Sequence, residues 1–171
     1  MFVGYWGNDV VRVNLVDVSL LSDQHLIAEH NEIRMIVSGF RRSLSTQTVN
    51  AVLKKVKSEF SLNQGHALFF FDKLEYLRQR HAELREEGIK RGFTFNYSLD
   101  LVGFDKCLFN DYAPTLSALT IITDRIREKL DMKLSWYRYY GVAGNTPYPI
   151  GATQWKKDGT LYTTTVEPLT T

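Results

Sequence analysis

The chain has few of the features that mark secreted or membrane proteins. Its 171 residues include one cysteine, Cys107, which excludes an internal disulfide and fits a reducing cytoplasm. The sequence contains no apolar run long enough to span a membrane, and the N-terminus lacks the basic and apolar regions of a secretory signal. We therefore expect one cytoplasmic domain with no membrane association, and Cys107, beside Leu108 and Phe109, is expected to be a small core residue.

The chain also lacks a strong excess of one charge. The net charge is +2 and the isoelectric point is near 8.6, which is too mild to indicate nucleic-acid binding by itself. Aromatic residues make up 13% of the chain, and several of them crowd into one basic segment near the C-terminus. The position of these aromatics is therefore more informative than the overall charge.

Hydrophobic spacing predicts an all-α fold, a compact single domain of three main helices plus a short helix. The first helix is expected to begin after Ser22, and the short helix to cover residues 45–60. The longest is predicted over residues 66–90, with Gly92 as its stop signal. Another main helix is expected to begin with Pro114 in its first turn.

Residues outside these helices complete the predicted architecture. The phenylalanine run from Phe69 to Phe71 is expected in the core, and His66 and His81 are expected to be packed helix residues. Beyond Gly141, glycine and proline residues predict an irregular tail, with a β-hairpin around Asp158-Gly159.

The first predicted helix carries a row of ionisable side chains. His25, Glu29 and Glu32 are spaced by four and three residues, so they share one helix face. Three interpretations are open: a solvated, salt-bridged surface, a metal site, or an acid–base catalytic site. The spacing of this histidine and these glutamates does not match the HExxH or HxxEH motif of zinc helices, which disfavours metal.

The basic aromatic segment combines flat rings with cations. Trp136 and the three tyrosines that follow it offer stacking surfaces, Arg138 among them adds a cation, and Arg125 and Lys129 just upstream could contact phosphates. The alternative is that half of these aromatics are core residues and that the charges form a solvated helix face.

Several segments in this order resemble the bacteriophage endonuclease V family, the pyrimidine-dimer DNA glycosylases with abasic-site lyase activity. They are Val11-Arg-Val-Asn-Leu15, Asp23-Gln-His-Leu-Ile-Ala-Glu29, the stretch from Leu62 to Leu77, Lys90-Arg-Gly-Phe93, Asp111-Tyr-Ala-Pro114 and Trp136-Tyr-Arg-Tyr-Tyr-Gly141. The resemblance predicts a glycosylase/lyase domain over residues 11–141, with residues 1–10 as an extension and residues 142–171 as a tail.

The resemblance implies a monomeric enzyme without metal or other cofactor that excises a damaged pyrimidine from double-stranded DNA. The implied nucleophile is the backbone amine of Val11, with Glu32 as the catalytic carboxylate and Arg12 and His25 in the same site. The residues expected to contact DNA are Gln24, Asn31, Arg34, Arg125, Lys129, Trp136, Tyr137, Arg138, Tyr139 and Tyr140.

Two departures from the family put dimer specificity in question. Asn31 and Met35 stand where the phage enzyme has arginines that hold DNA around the dimer. Arg34, next to Met35, projects about 100° away on a helix and is not a direct substitute. The same chemistry on another modified base is therefore an alternative.

A free amine at Val11 requires that residues 1–10 be absent. Val10 occupies the family's initiator position, and a GUG valine codon can start translation. Trp6-Gly7 must be encoded by a run of guanines, which lies shortly before codon 10 like a ribosome-binding site. We expect that Met1 to Asp9 is not native. If the extension is retained, the alternative is a DNA-binding protein without catalysis.

Overall fold

The computed structural model describes residues 12–63 and 65–144, and the prediction of an all-α fold is confirmed there. Within these ranges the chain forms five α-helices, two short 3₁₀ turns and one small β-hairpin. The helices are α1 (Asp23–Leu44), α2 (Val49–Leu53), α3 (His66–Phe69), α4 (Leu74–Lys90) and α5 (Leu116–Met132). The 3₁₀ turns are Val18–Leu20 and Lys106–Leu108, and the strands are β1 (Arg138–Tyr139) and β2 (Val142–Ala143).

Helix α1 begins at the predicted cap. The Ser22 hydroxyl accepts a hydrogen bond from the His25 backbone N–H, which closes the first turn. Asp23 lies in the first turn and Arg41 and Arg42 lie in the last, where each charge complements the helix dipole. The buried apolar side chains follow helical spacing, so α1 presents one apolar face to the core. They are Leu26, Ile33, Ile36, Val37 and Phe40.

The helix predicted over residues 66–90 is divided in two, so that prediction is wrong in its continuity. Phe69, Phe70 and Phe71 are all buried, as expected for core residues. Three consecutive residues of an α-helix span about 200° around its axis, which is wider than the apolar face that a surface helix turns toward a core. Burial of this aromatic run therefore explains the turn between α3 and α4.

The end of α4 confirms Gly92 as a stop signal. The Gly92 N–H donates to the Ile89 carbonyl and the Phe93 N–H donates to the Gly88 carbonyl, each at 2.9 Å. Gly92 has φ of +86°, a conformation that glycine adopts without steric cost. These two bonds and the left-handed residue form a Schellman motif, which satisfies carbonyls at the helix end.

Two other helix bounds differ from the predictions. The short helix predicted over residues 45–60 is limited to Val49–Leu53, and Val52 is its buried side chain. A helix that buries one side chain is not stabilised beyond about a single turn, because helices without tertiary packing are only marginally stable in water. Pro114 does not lie in the first turn of α5. It precedes Thr115, whose hydroxyl caps that turn.

A small hairpin follows α5 and was not predicted at this position. Strands β1 and β2 pair antiparallel, with Arg138 opposite Ala143 and Tyr139 opposite Val142. The two turn residues, Tyr140 and Gly141, have φ of +49° and +79°, as in the tight turns that suit β-hairpins. The hairpin predicted around Asp158-Gly159 lies outside the described residues.

One apolar cluster joins the helices with the segment before α1. Its fully buried larger members are Leu21, Leu26, Ile33, Phe40, Phe69, Phe70, Leu74, Leu77, Leu84, Leu108, Ile122 and Ile126. His66 and His81 are also buried, as predicted for packed helix residues. No helix in the described ranges is long and apolar enough to cross a membrane.

The prediction that Cys107 is a core residue is wrong. Cys107 is exposed, and its backbone N–H donates to the Asp105 carboxylate at 2.9 Å. Neighbouring residues of the 3₁₀ turn point in different directions, and Leu108, which is fully buried, occupies the inward position.

A buried ion pair joins α1 to α4. Arg80 Nε lies 2.7 Å from Glu29 Oε1, and both side chains are almost completely buried. The same guanidinium donates to the Val16 carbonyl at 2.6 Å, and the Asn14 side-chain amide donates to Glu29 at 2.8 Å. Two helices and the segment before α1 therefore meet at one charged contact.

We predict that Arg80→Met lowers the free energy of unfolding by about 3–5 kcal/mol, because the Glu29 carboxylate would remain buried without its partner. Urea denaturation measures this change. The control is Arg78→Met on the same helix, because Arg78 pairs with Glu75 at the surface and its loss should leave the free energy of unfolding nearly unchanged. Equal losses of unfolding free energy in both variants would contradict the stabilising role of the buried ion pair.

Candidate active site

The segment before α1 is held against the loop that precedes α3. The Arg12 guanidinium donates twice to the Leu62 carbonyl, from Nε at 2.8 Å and from Nη2 at 2.6 Å. The next residue, Val13, donates its backbone N–H to His66 Nε2 at 3.0 Å. Two consecutive residues are therefore fixed, while Val11, the predicted nucleophile, lies outside the described residues.

A strained turn follows in the same segment. The Val16 N–H donates to the Asn14 carbonyl at 2.6 Å, and Leu15 between them has φ of +57°. This conformation is unfavourable for a residue with a side chain and persists only where the surroundings impose it. The contacts of Asn14 and Val16 with the Glu29–Arg80 pair supply that constraint. The backbone of residues 12–16 is therefore rigidly held.

Glu32 is half-buried on α1, within electrostatic reach of two cations. Burial raises the pKa of Glu32, and the guanidinium groups of Arg12 and Arg125 oppose that rise. The negative charge of Glu29 raises this pKa further. A carboxyl group in such surroundings can act as a general acid or base and, when ionised, can stabilise a developing positive charge.

Burial and the Glu32 carboxylate also act on the pKa of Arg12. Burial lowers its pKa, and the nearby Glu32 carboxylate raises it. A guanidinium keeps its charge under these conditions, so Arg12 places a permanent cation beside Glu32. The structure thus brings together two of the predicted catalytic residues, Arg12 and Glu32.

His25 occupies a different part of α1 from Glu32. The two residues are seven positions apart, which corresponds to about 10 Å along a helix. His25 is buried, its Nδ1 lies 2.8 Å from the Ser22 hydroxyl, and its ring stacks on Tyr137 at 4.7 Å between centroids. Glu29 is buried with Arg80, so the interpretation of this row as a solvated surface is wrong for these two positions.

Residues 136–141, here called the C-terminal segment, are attached to the first turn of α1 through main-chain atoms. Gln24 Nε2 donates to the Trp136 carbonyl at 2.6 Å, and Gln24 Oε1 accepts from the Arg138 N–H at 2.9 Å. The Asp23 carboxylate accepts the N–H groups of Tyr140 and Gly141, at 3.2 and 2.8 Å. The Gln24 side chain, predicted to contact DNA, therefore has its amide engaged by the protein backbone.

Arg91 lies beneath the hairpin and joins it to α4. Its guanidinium carbon is 4.8 Å from the ring centroids of both Tyr139 and Tyr140, a cation–π arrangement. Arg91 also pairs with Asp23 at 3.1 Å and with Glu87 at 2.8 Å. The Tyr140 hydroxyl donates to Glu87 at 2.9 Å. These contacts fix the position of the hairpin on the helices.

The predicted aromatic DNA-contact residues divide into two groups. Tyr137 is buried against His25 and Tyr139 is half-buried over Arg91, in line with the alternative that half of the aromatics are core residues. Trp136 is 54% exposed, and the Arg138 side chain is also at the surface. Tyr140 is exposed, but its hydroxyl is bonded to Glu87. Trp136 and Arg138 thus form the outward face of the C-terminal segment.

The basic residues predicted on α5 lie on the side of Glu32. Arg125 acts electrostatically on both Glu32 and His66, and Lys129 follows one turn later on the same face. Asn31 and Arg34 instead border a groove of about 430 Å³ on the outer side of α1. Arg34 stacks over the Tyr97 ring at 4.2 Å. Arg12 and Arg125 are therefore the cations that act on the Glu32 carboxyl group, and Arg34 belongs to a separate groove.

No set of three histidine, cysteine, aspartate or glutamate side chains within residues 12–63 and 65–144 is arranged to hold a metal ion. Two contributors to the site were missed by sequence reasoning. Arg80 lies 51 positions from Glu29, and no local pattern links them. His66 was interpreted only as a packed residue, although it lies in a segment that resembles the family.

We predict that the pKa of Glu32 lies above that of an ordinary glutamate and rises further in Arg125→Met, because that change removes a cation that favours the carboxylate. Carbon-13 NMR titration of the side-chain carboxyl measures both values. Arg127→Met, on the same helix but paired with Asp124, should leave the Glu32 titration in place. A lower pKa in Arg125→Met would refute this electrostatic account.

Comparison with known proteins agrees with the geometry. A model of the pyrimidine dimer DNA glycosylase family matches residues 11–101, more than half of the chain. The match includes Arg12, Glu32 and His66, whereas the similar segments at Asp111–Pro114 and Trp136–Gly141 lie beyond it. The chain therefore belongs to the pyrimidine dimer DNA glycosylase family and is a DNA-repair glycosylase that binds damaged DNA.

Proposed function

We propose that this protein cleaves the N-glycosidic bond of a damaged pyrimidine, a UV-induced dimer, and then nicks the abasic site by β-elimination. The proposed nucleophile is the α-amine of Val11. The observation that carries the proposal is the rigid attachment of Arg12 and Val13 beside the half-buried carboxyl of Glu32. Fixing the residue to which the nucleophile is bonded reduces the entropy lost when the amine is brought to the substrate.

The reaction needs no metal or organic cofactor. The neutral amine attacks C1′ of the damaged nucleotide, and the base leaves with the electron pair of the glycosidic bond and takes up a proton. Opening of the sugar ring gives a protonated imine between C1′ and the α-nitrogen. Loss of a C2′ proton then expels the 3′ phosphate, and water hydrolyses the imine to restore the amine.

An α-amine is well suited to this step. Its pKa of about 7.7–8.0 leaves a sizeable neutral fraction near pH 7.5, whereas a lysine with a pKa of about 10.4 would need strong tuning. The proposal requires that residues 1–10 be absent from the active protein. Translation from codon 10, followed by removal of the initiator methionine, would leave Val11 at the terminus.

The residues near the nucleophile take complementary roles. Glu32 stabilises the positive charge that develops on the sugar and moves protons to and from it. Arg12 holds the N-terminal segment through its bond to Leu62, and its positive charge favours the ionised form of Glu32. His25 supports the edge of the site through its stack on Tyr137.

We assign the DNA-facing surface to the side of the molecule that carries these groups. Arg125 and Lys129 contact phosphates, and Trp136 and Arg138 contact an unstacked base and the neighbouring backbone. Arg34 and Asn31 contact the flank on the other side of Glu32. Gln24, Tyr137, Tyr139 and Tyr140 contribute by holding the C-terminal segment in place.

A second candidate is the same chemistry on a different modified base. It is favoured by the surface beside Glu32, where Asn31 is exposed and Met35 is 68% exposed. Neither side chain is cationic, so this part of the groove favours an apolar or hydrogen-bonded contact over a phosphate. Release of base from duplexes with a dimer or with other modified pyrimidines, compared under single-turnover conditions, distinguishes the candidates.

We predict that borohydride, which reduces an imine to a stable amine, links a chain beginning at Val11 covalently to abasic-site DNA. Mass spectrometry should map the linkage to the Val11 nitrogen. The matched control is the chain beginning at Met1, which should give no adduct because its Val11 nitrogen is an amide. Absence of an adduct with the shorter chain, or mapping to a lysine, would refute the proposed nucleophile.

We predict that Glu32→Gln retains affinity for abasic-site DNA and slows strand cleavage by about 10²–10⁴-fold, because an amide cannot exchange the proton. Binding is measured by fluorescence anisotropy and cleavage by single-turnover gel assay. Glu83→Gln makes the same change at an exposed position on α4 and should have little effect. Cleavage at the unmodified rate in Glu32→Gln would remove this residue from the mechanism.

A further inference from the structure

His66 makes two hydrogen bonds that define its ionisation state and its orientation. Its Nδ1 lies 3.0 Å from the Ser61 carbonyl, and its Nε2 lies 3.0 Å from the Val13 backbone nitrogen. A carbonyl can only accept, so Nδ1 carries the proton and Nε2 accepts the Val13 N–H. The imidazole is therefore neutral, and a single tautomer satisfies both partners.

The surroundings keep His66 in this state. Burial, together with the nearby cations Arg12 and Arg125, lowers its pKa to about 4, against the raising effect of the Ser61 hydrogen bond. The rings of Phe60 and Phe70 meet the imidazole edge-on, at 5.2 and 5.3 Å. The acceptor at Nε2 is thus preserved throughout the neutral pH range.

Residues just before α3 and at its start therefore hold two successive residues of the N-terminal segment. Leu62 binds the Arg12 side chain, and His66 binds the Val13 main chain. Val11 is joined to Arg12 by one peptide bond, so movement of the Arg12–Val13 backbone moves the point at which Val11 is attached. On the other side of Val13, the Asn14 side chain and the Val16 carbonyl are bonded to the Glu29–Arg80 pair, which fixes that part of the segment as well.

We infer that His66 is a positioning residue for the α-amine of Val11. It acts through the Val13 peptide and does not contact the substrate. Without the acceptor, the buried Val13 N–H loses its hydrogen bond and the segment moves to recover one. A displacement of about 1 Å at the reacting atoms is enough to slow a reaction about 10²-fold. This inference rests on the proposed function, because it assumes that the Val11 amine is the nucleophile.

The experiment compares side chains at position 66 in the chain that begins at Val11. His66→Leu replaces the imidazole with an apolar side chain that has no acceptor. His66→Gln instead provides a side-chain oxygen that can reach the Val13 N–H. We measure the single-turnover rate of borohydride trapping on abasic-site DNA, the affinity for DNA with a tetrahydrofuran site, and the melting temperature. His66→Leu should trap about 10²-fold more slowly with nearly unchanged affinity, and His66→Gln should recover most of that loss.

Phe60→Leu is the matched control for stability. It removes a ring that touches His66 but leaves the Val13 acceptor in place, so it should lower the melting temperature without slowing trapping by the folded protein. If His66→Leu does not fold, His66→Asn replaces it, because the shorter amide cannot reach Val13. The expected contrast with His66→Gln is then the same.

The outcomes separate the inference from the function on which it rests. Failure of the unmodified chain to form an adduct would refute the proposed nucleophile. Trapping by the unmodified chain, together with an equal rate in folded His66→Leu or His66→Asn, would refute the positioning role alone. A parallel loss of affinity and trapping rate would assign His66 to the DNA-binding surface and would also overturn the inference.

Discussion

The buried ion pair between Glu29 and Arg80 is the interaction on which the arrangement of the site depends. Two charges removed from water require nearly complete compensation, and here the partners include the Asn14 amide and the Val16 carbonyl. The unfavourable Leu15 backbone between those partners is maintained by this network. Because Glu29 also raises the pKa of Glu32, one structural carboxylate shapes both the path of the backbone and the proton affinity of the site.

Helix α1 carries, at successive positions along its length, the residues that hold the C-terminal segment, the residues that hold the N-terminal segment, and Glu32. Its first turn holds the C-terminal segment through Asp23 and Gln24, its middle holds residues 12–16 through Glu29, and Glu32 follows on the next turn. Groups carried by one rigid helix keep fixed distances from each other, which is what pre-organised catalysis requires. The loop before α3 supplies the remaining contacts, so the N-terminal segment is held from two directions.

Local signals were sufficient to predict the helical fold and the start of α1, because Ser22 and the apolar spacing that follows act over a few residues. They failed at Phe69 to Phe71, where burial in the shared core overrides helical continuity. Arg12 and Glu32 were recognised through family resemblance, yet their environment was not. It depends on partners such as Leu62, Arg80 and Arg125, which are distant in sequence and are brought close only by packing.

The attachment of the C-terminal segment has a consequence for how this surface can change during evolution. Asp23 and Gln24 bind only main-chain groups of that segment. These hydrogen bonds therefore do not depend on which side chains stand at positions 136 and 138. Those two side chains point outward and can be exchanged while the backbone that carries them stays in place. Substitutions at positions 136 and 138 are therefore compatible with the same backbone placement, and the DNA contacts proposed for these two side chains can change without loss of the fold.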